Sequence, residues 1–429
     1  MTHQPLIYCD HHATTPVCPA AIQAMVQAMQ VPGNASSPHP FGREAAKVVE
    51  DARTSVARLA GLGDPEGVVF TSGATEANNL ALRGVVEAAR ARGIARPHVL
   101  VSPIEHSSVL APLRDMESDG KIELEMIPVA PDGIVRVEGV ASRIRDEATA
   151  ARMGRGRTVL VTVQAANNEI GTIQPVQAIG ALCAERGVLF HTDLCQTFGK
   201  MHVDPSCYDL ASVSAHKVYG PTGVGALIGR DEVLKWIRPQ ITGGSQERGY
   251  RAGTLNTHGI AGFGAACDEM MGTWRSHEGG MGQFTPAEPE PWRLRRLRDL
   301  ILAMVTTGLG PEWVRVNGAI DPTTVGPRPD IAPCALRLPH NLNLTLVGVC
   351  PDTFHARAKD RIAVSAAAAC KSIGGDRSHM LGAIGAPDDG AVVRIGLGRC
   401  NDEAQAHAVA RTIVDVASAL RGDGCVLRR

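Results

Sequence analysis

Short runs of β-branched and apolar residues recur along the first half of the chain: VVF at 68–70, HVLVS at 98–102, TVLVTVQ at 158–164, VLFHTD at 188–193 and DLASVSA at 209–215. Longer stretches with helical spacing separate them, and that alternation predicts an α/β fold with helices layered on a mostly parallel sheet. Within 43–60, Ala46, Val49, Ala52, Val56 and Leu59 share one helical face, and Ala408, Ile413, Val416 and Leu420 do the same within 402–421. Sheets of this kind take ligands beyond the carboxyl ends of their strands. Thr71 to Thr75, Asn168, Asp193 and Lys217 each follow an apolar run directly.

Two stretches break the rhythm. WRSHEGGMGQFTPAEPEPW at 274–292 mixes Gly, Pro and Glu without periodicity, and 318–333 is rich in Pro, Asp and Thr. Both read as exposed loops flanking a helix that starts near Arg293. With 429 residues the chain exceeds what one apolar core usually supports. The change of character near 265–275 predicts the end of a first domain, leaving about 150 residues for a smaller one. No tandem repeat is present.

Lys+Arg 43 against Asp+Glu 44 leaves no summed field to favour nucleic acid or an anionic membrane, so a small substrate is expected. No apolar run approaches the roughly 20 residues that span a bilayer, and MTHQPLIYCD lacks the marks of a signal peptide, so a soluble, cytoplasmic protein is expected. The 11 cysteines are scattered, odd in number and without a C-x-x-C pair, which reads as reduced, mostly buried thiols. His11 and His12 are adjacent, but no further ligands lie at metal-binding spacing, and a structural or pocket-lining role is expected.

Three segments carry candidate chemistry. In FTSGATEANNLAL, 70–82, a strand runs through a small-residue turn into a helix near Glu76, an arrangement whose free N–H groups and positive dipole end suit a phosphate. It equally suits a capped helix start in which Thr75 satisfies backbone donors. In VLFHTDLCQTFGK, Asp193 ends an apolar strand, where a buried carboxylate needs a partner such as a protonated ring nitrogen; a helix-capping aspartate is the plainer reading. In DLASVSAHKVYGPTGVGAL, 209–227, Lys217 ends another apolar strand and a Gly-rich turn follows. Desolvation there would lower its pKa and free the amine for a Schiff base, whereas a lysine at a strand end is more commonly solvated. Lysine, acid and phosphate cradle together match the needs of pyridoxal phosphate.

The ordered stretches DHHATTPV at 10–17, GNASSPHPFGREA at 33–45, FTSGATEANNLAL at 70–82, EHSSVL at 105–110 and NNEIGTIQP at 167–175 resemble the cysteine desulfurases of the NifS/IscS-like group. The resemblance continues in FHTDLCQTFGK at 190–200, SAHKVYGPTGVGAL at 214–227, GGSQERGYRAGTLN at 243–256 and VRIGLGR at 393–399. It implies the class V aminotransferase-like fold of fold type I pyridoxal-phosphate enzymes. A large domain, 16–270, would hold a mostly parallel seven-stranded sheet, and a smaller α+β domain would combine 1–15 with 271–429. It implies further that Lys217 carries the cofactor, Asp193 pairs with its ring nitrogen, and His106 stacks on the ring. Gln196 and Asn168 would contact its phenolic oxygen or the substrate. Ala74, Thr75, Ser214 and His216 would hold the phosphate, joined by Thr254 from the other subunit of a homodimer. Arg394, with Asn34, would grip the substrate carboxylate, a task that suits a planar guanidinium.

By the same resemblance Cys370, in AVSAAAACKS at 363–372, receives sulfur from free L-cysteine. The implied reaction yields alanine and a persulfide that passes to an acceptor protein for iron–sulfur cluster assembly or tRNA thiolation. The chain departs from the family pattern by alanines at 366 to 368, which favour helix, and by Lys371, which favours the thiolate. A selenocysteine lyase or cysteine C–S lyase of the same fold would keep Lys217 and Asp193 without needing Cys370. A non-catalytic assembly module would need neither.

Overall fold

The computed structural model describes residues 6–275, 290–320, 336–366 and 378–422. In chain order its strands are β1 Ile7–Tyr8, β2 Val68–Thr71, β3 His98–Val101, β4 Glu123–Met126, β5 Thr158–Thr162, β6 Leu189–Asp193, β7 Leu210–Ser214 and β8 Gly225–Gly229, followed by β9 Val314–Val316, β10 Asn341–Val347, β11 Ile362–Ala363 and β12 Gly390–Gly396. All five apolar runs of the first half form strands. They lie in a seven-stranded sheet of order β2-β8-β7-β6-β5-β3-β4, parallel except for the two pairings of β8. Helices on both faces bury β2, β3, β5, β7 and β8 along their whole lengths, which is why these strands lack a polar alternation.

The helix read within 43–60 runs from Pro40 to Ala60, opened by Pro40 in the first turn and by His39, whose ring accepts from the Gly42 N–H at 3.2 Å. It ends at Gly61, whose φ of 76° only glycine adopts freely. The helix read within 402–421 spans Glu403–Gly422. The helix read as starting near Arg293 begins at Glu290, because Pro291 suits a first turn and Glu290 pairs with Arg293 at 2.7 Å one turn on. The preceding helix, Thr257–Arg275, extends into the stretch read as loop; 276–289 and 321–335 lie outside the described residues.

A second sheet, β12-β10-β9, is antiparallel, and β1 pairs with β11 in a short parallel ribbon. Apolar clusters sit on either face of the large sheet, built from residues between Cys18 and Met270. Another gathers Cys9 with residues from Leu294 to Leu420 around the small sheet. A minor cluster of Ile104 and Ile170 with Met380, Leu381 and Ile384 joins the two parts beside the carboxyl ends of β3 and β5. Among the described residues no helix is long and apolar enough to cross a membrane.

Candidate active site

The carboxyl ends of the parallel strands deliver the reactive side chains to one cavity of about 350 Å³. After β2 the chain turns through Gly73 into the helix Ala74–Ala91. Gly73 has φ 151°, and a side chain there would meet only Ser214 Oγ, at 4.0 Å, so backbone conformation rather than space calls for glycine. No side chain caps this helix. Its first N–H groups are thus free of a side-chain cap where Ala74, Thr75, Ser214 and His216 line the cavity. Burial holds His216 neutral, down to about 4, with Lys217 and Lys200 adding to the effect.

Asp193 is the last residue of β6 and is buried. One carboxylate oxygen accepts from the Cys195 N–H at 2.9 Å and the other from the Asn78 amide at 3.0 Å. Lys217 closes the turn after β7, and its amine donates to the carbonyls of His12 and Ala13, the latter at 2.7 Å. Burial lowers its pKa, Cys195 and Asp193 pull it back up, and Arg394 pushes it further down. Two residues on, Tyr219 holds φ 64°, an expensive backbone for a bulky residue. It is pinned by Thr15 Oγ, which accepts from its N–H at 2.7 Å, and by Arg399, whose guanidinium stacks 4.4 Å from its ring.

His106 caps the helix Ser107–Ser118, its Nδ1 accepting from the Ser108 N–H at 3.1 Å. That bond leaves the proton on Nε2, and burial lowers the ring's pKa in keeping with a neutral imidazole. Arg394, on β12, is almost fully buried: Nη2 pairs with Asp10 at 2.8 Å and Nη1 donates to the Asn168 carbonyl at 3.3 Å. Its Nε and the Asn168 side-chain oxygen have no hydrogen-bond partner among the described residues.

Ten of the residues singled out in the sequence thus line one cavity: Ala74, Thr75, His106, Asn168, Asp193, Gln196, Ser214, His216, Lys217 and Arg394. Asn34 and Thr254 are exposed and line no part of it within one chain. Cys370 and Lys371 lie outside the described residues. Sequence reasoning missed Gln164, Glu169, Cys195, His379 and Met380, which share the lining. Glu169 and Cys195 sit inside quoted motifs, one residue from Asn168 and two from Asp193. His379 and Met380 arrive from the far end of the chain with no local pattern to mark them. Burial raises Glu169 to about 7, and its carboxyl accepts from the Ser378 hydroxyl at 2.6 Å.

The donor set fits pyridoxal phosphate. An uncapped helix start suits a phosphate, a buried carboxylate suits a ring N–H, and a desolvated amine suits an aldehyde. The unpartnered Asn168 oxygen and Arg394 Nε are polar atoms that a bound polar molecule would satisfy.

The class-V aminotransferase model matches residues 7–278. A cysteine desulfurase IscS of Rickettsia akari is 38% identical over 92% of this chain and 87% of its own length. Among solved structures, a NifS-like protein superposes with TM-score 0.80 at 28% identity, covering 97% of this chain and 100% of its own. SspA in complex with cysteine superposes with TM-score 0.70 at 28% identity, covering 91% of this chain and 98% of its own. Likeness of this extent, spread over both sheets, makes the chain a member of the class-V aminotransferase family, among its cysteine desulfurases.

Proposed function

We propose that the protein is a cysteine desulfurase that uses pyridoxal 5′-phosphate to move sulfur from free L-cysteine onto Cys370. The observation that carries this reading is the meeting of Lys217, Asp193, the uncapped helix start and Arg394 in one cavity. Lys217 would hold the cofactor, Asp193 its ring nitrogen, and Ala74, Thr75, Ser214 and His216 its phosphate, with Thr254 supplied by a second copy in a homodimer. When bound, the cofactor acts as an electron sink for charge developing at the substrate Cα.

The remaining chemistry belongs to the chain. Arg394 orients the substrate carboxylate, while Asp10 fixes the guanidinium and tempers its charge. Lys217 Nζ, freed by substrate, takes the Cα proton, a role suited to an amine whose pKa burial has lowered. The Cys370 thiolate attacks the substrate sulfur: an S–S bond forms, the Cβ–S bond breaks with its electron pair on carbon, and protonation there gives alanine. Cys370 keeps the persulfide for an acceptor protein, with iron–sulfur cluster assembly and tRNA thiolation as the outlets. The proposed division into 16–270 and 1–15 with 271–429 is supported by their separate apolar clusters. A cytoplasmic location fits this chemistry, which needs reduced thiols.

The test is cysteine-dependent release of alanine and sulfide in the presence of a thiol reductant. Equal yields from wild type, with failure of both Lys217→Ala and Cys370→Ala, are expected. Full activity of Cys370→Ala would replace this reading with a C–S lyase.

A further inference from the structure

His12 lines the cavity yet is fully buried, stacked 4.7 Å from His340, and tied at both ring nitrogens. Neutral imidazole has one donor and one acceptor nitrogen, and an isolated ring gives no way to choose between them. Here the choice is forced from outside. Arg337 is buried, and a guanidinium only donates. Its Nη1 donates to Asn341 Oδ1 at 2.8 Å, so that amide oxygen is fixed as the acceptor. Asn341 Nδ2 is therefore the donor. It reaches the Glu169 carbonyl at 3.0 Å and His12 Nε2 at 3.1 Å. His12 Nε2 must accept, which leaves the ring proton on Nδ1. Nδ1 lies 2.8 Å from Gln196 Oε1, and the Gln196 amide nitrogen in turn donates to the His12 carbonyl at 3.3 Å.

We propose that His12 is a positioning residue that carries the fixed polarity of Arg337 through Asn341 to Gln196, so that Gln196 offers the cavity an N–H donor rather than a carbonyl. The inference rests on the cofactor reading above and, of the two contacts expected for Gln196, on the one to the phenolic oxygen rather than to the substrate. Without the relay only the long bond to the His12 carbonyl, at 3.3 Å, holds the Gln196 amide against a flip that would set its oxygen against that carbonyl. The relay needs a neutral ring, and the groups around His12 enforce it: Arg394, Lys200 and Lys217 all disfavour a further positive charge there, as does burial.

Two measurements test it. In the cofactor-free protein, nitrogen-15 NMR of His12 should show a protonated Nδ1 and a lone pair on Nε2; the reverse tautomer overturns the relay whether or not a cofactor binds. In the full chain loaded with pyridoxal 5′-phosphate, the visible band should titrate with pH. A donor to the phenolic oxygen stabilises its charge most when the nitrogen joining Lys217 to the cofactor is deprotonated. Loss of one neutral donor in His12→Phe should therefore raise the midpoint by about half to one pH unit. His12→Asn keeps an N–H near the Nδ1 position and should restore the wild-type midpoint even if His12→Phe fails to fold. A band that titrates identically in His12→Phe and wild type sinks the relay. No visible band in wild type sinks the cofactor reading instead, and the tautomer still decides the relay.

Discussion

Single residues carry unequal loads. Glu247 is fully buried at φ 46° and binds the Arg53 guanidinium with both oxygens, at 2.7 and 2.8 Å, while also accepting from the Phe70 N–H. Glu247→Ala would leave the buried Arg53 charge beneath β2 only the exposed Glu50, at 3.0 Å, and the Val68 carbonyl as partners, and the expected loss is about 3 kcal/mol in chemical denaturation, the low end for breaking a buried pair. Glu247→Gln keeps an acceptor and should lose less; equal losses would mean that the pair's charge is not what matters. This pair was not legible beforehand, since 53 and 247 lie far apart and neither position is unusual alone. Lys217 and Asp193 were legible because an ionisable residue at the end of an apolar strand has no local partner. The pocket-lining place of His12 was legible too, but its bonding was not, because that depends on Arg337, Asn341 and Gln196, which only the fold assembles.

Among the elements, the strands that read clearly are those buried on both faces. β4 escaped because it is an edge strand whose ELEM sequence is only half-buried. β8 escaped because its glycines, Gly225 and Gly229, look like a turn. The structure gives those glycines a purpose: a Cβ at Gly225 would stand 2.5 Å from the Val213 carbonyl and 2.7 Å from Gly73 Cα. β8 must therefore pass directly under the turn that opens the helix Ala74–Ala91. Gly225→Ala should push that turn off the cavity and weaken pyridoxal phosphate binding about tenfold or more, given the roughly 1–3 kcal/mol that overpacking costs. Fluorescence titration of the cofactor-free protein reads this directly, and unchanged affinity would argue that the phosphate lies elsewhere.

For the molecule as a whole, buried histidines set the acid limit. Burial holds His11, His191 and His216 down to about 4 from 6.5. Between those values the unfolded chain takes up protons that the native state refuses, so stability falls as pH drops from about 6.5 towards 4. Glu169 has the opposite sign: raised from 4.5 to about 7, it favours the native state as pH falls through that range. Burial lowers His98, His12 and His340 as well and raises Glu105 beside Glu169, so the histidines outnumber the acids, and the cofactor-free protein should melt at a lower temperature at pH 5 than at pH 7; equal melting would sink this account. At the same scale, Ile22, Val26, Met29 and Phe41 are exposed on the helices Pro19–Gln30 and Pro40–Ala60, where a groove of about 870 Å³ runs to Leu255 beside Thr254. If the homodimer buries this face, light scattering should report twice the chain mass, and Val26→Glu should yield monomers with weakened cofactor binding; a monomeric wild type would leave Thr254 without a role.

The position of β8 between β2 and β7 also orders events in time. β2 ends at Thr71, yet β8, its one sheet neighbour among the described residues, is complete at Gly229, and Arg394 comes later still. At about 5–20 residues per second, a ribosome needs on the order of 10 s to supply the intervening chain. Throughout that interval the emerging protein carries an unpaired apolar strand that invites aggregation. Lys217 and Arg394 thus meet in the cavity only once the chain is nearly finished, and capture of a cofactor there would be an act of the finished chain.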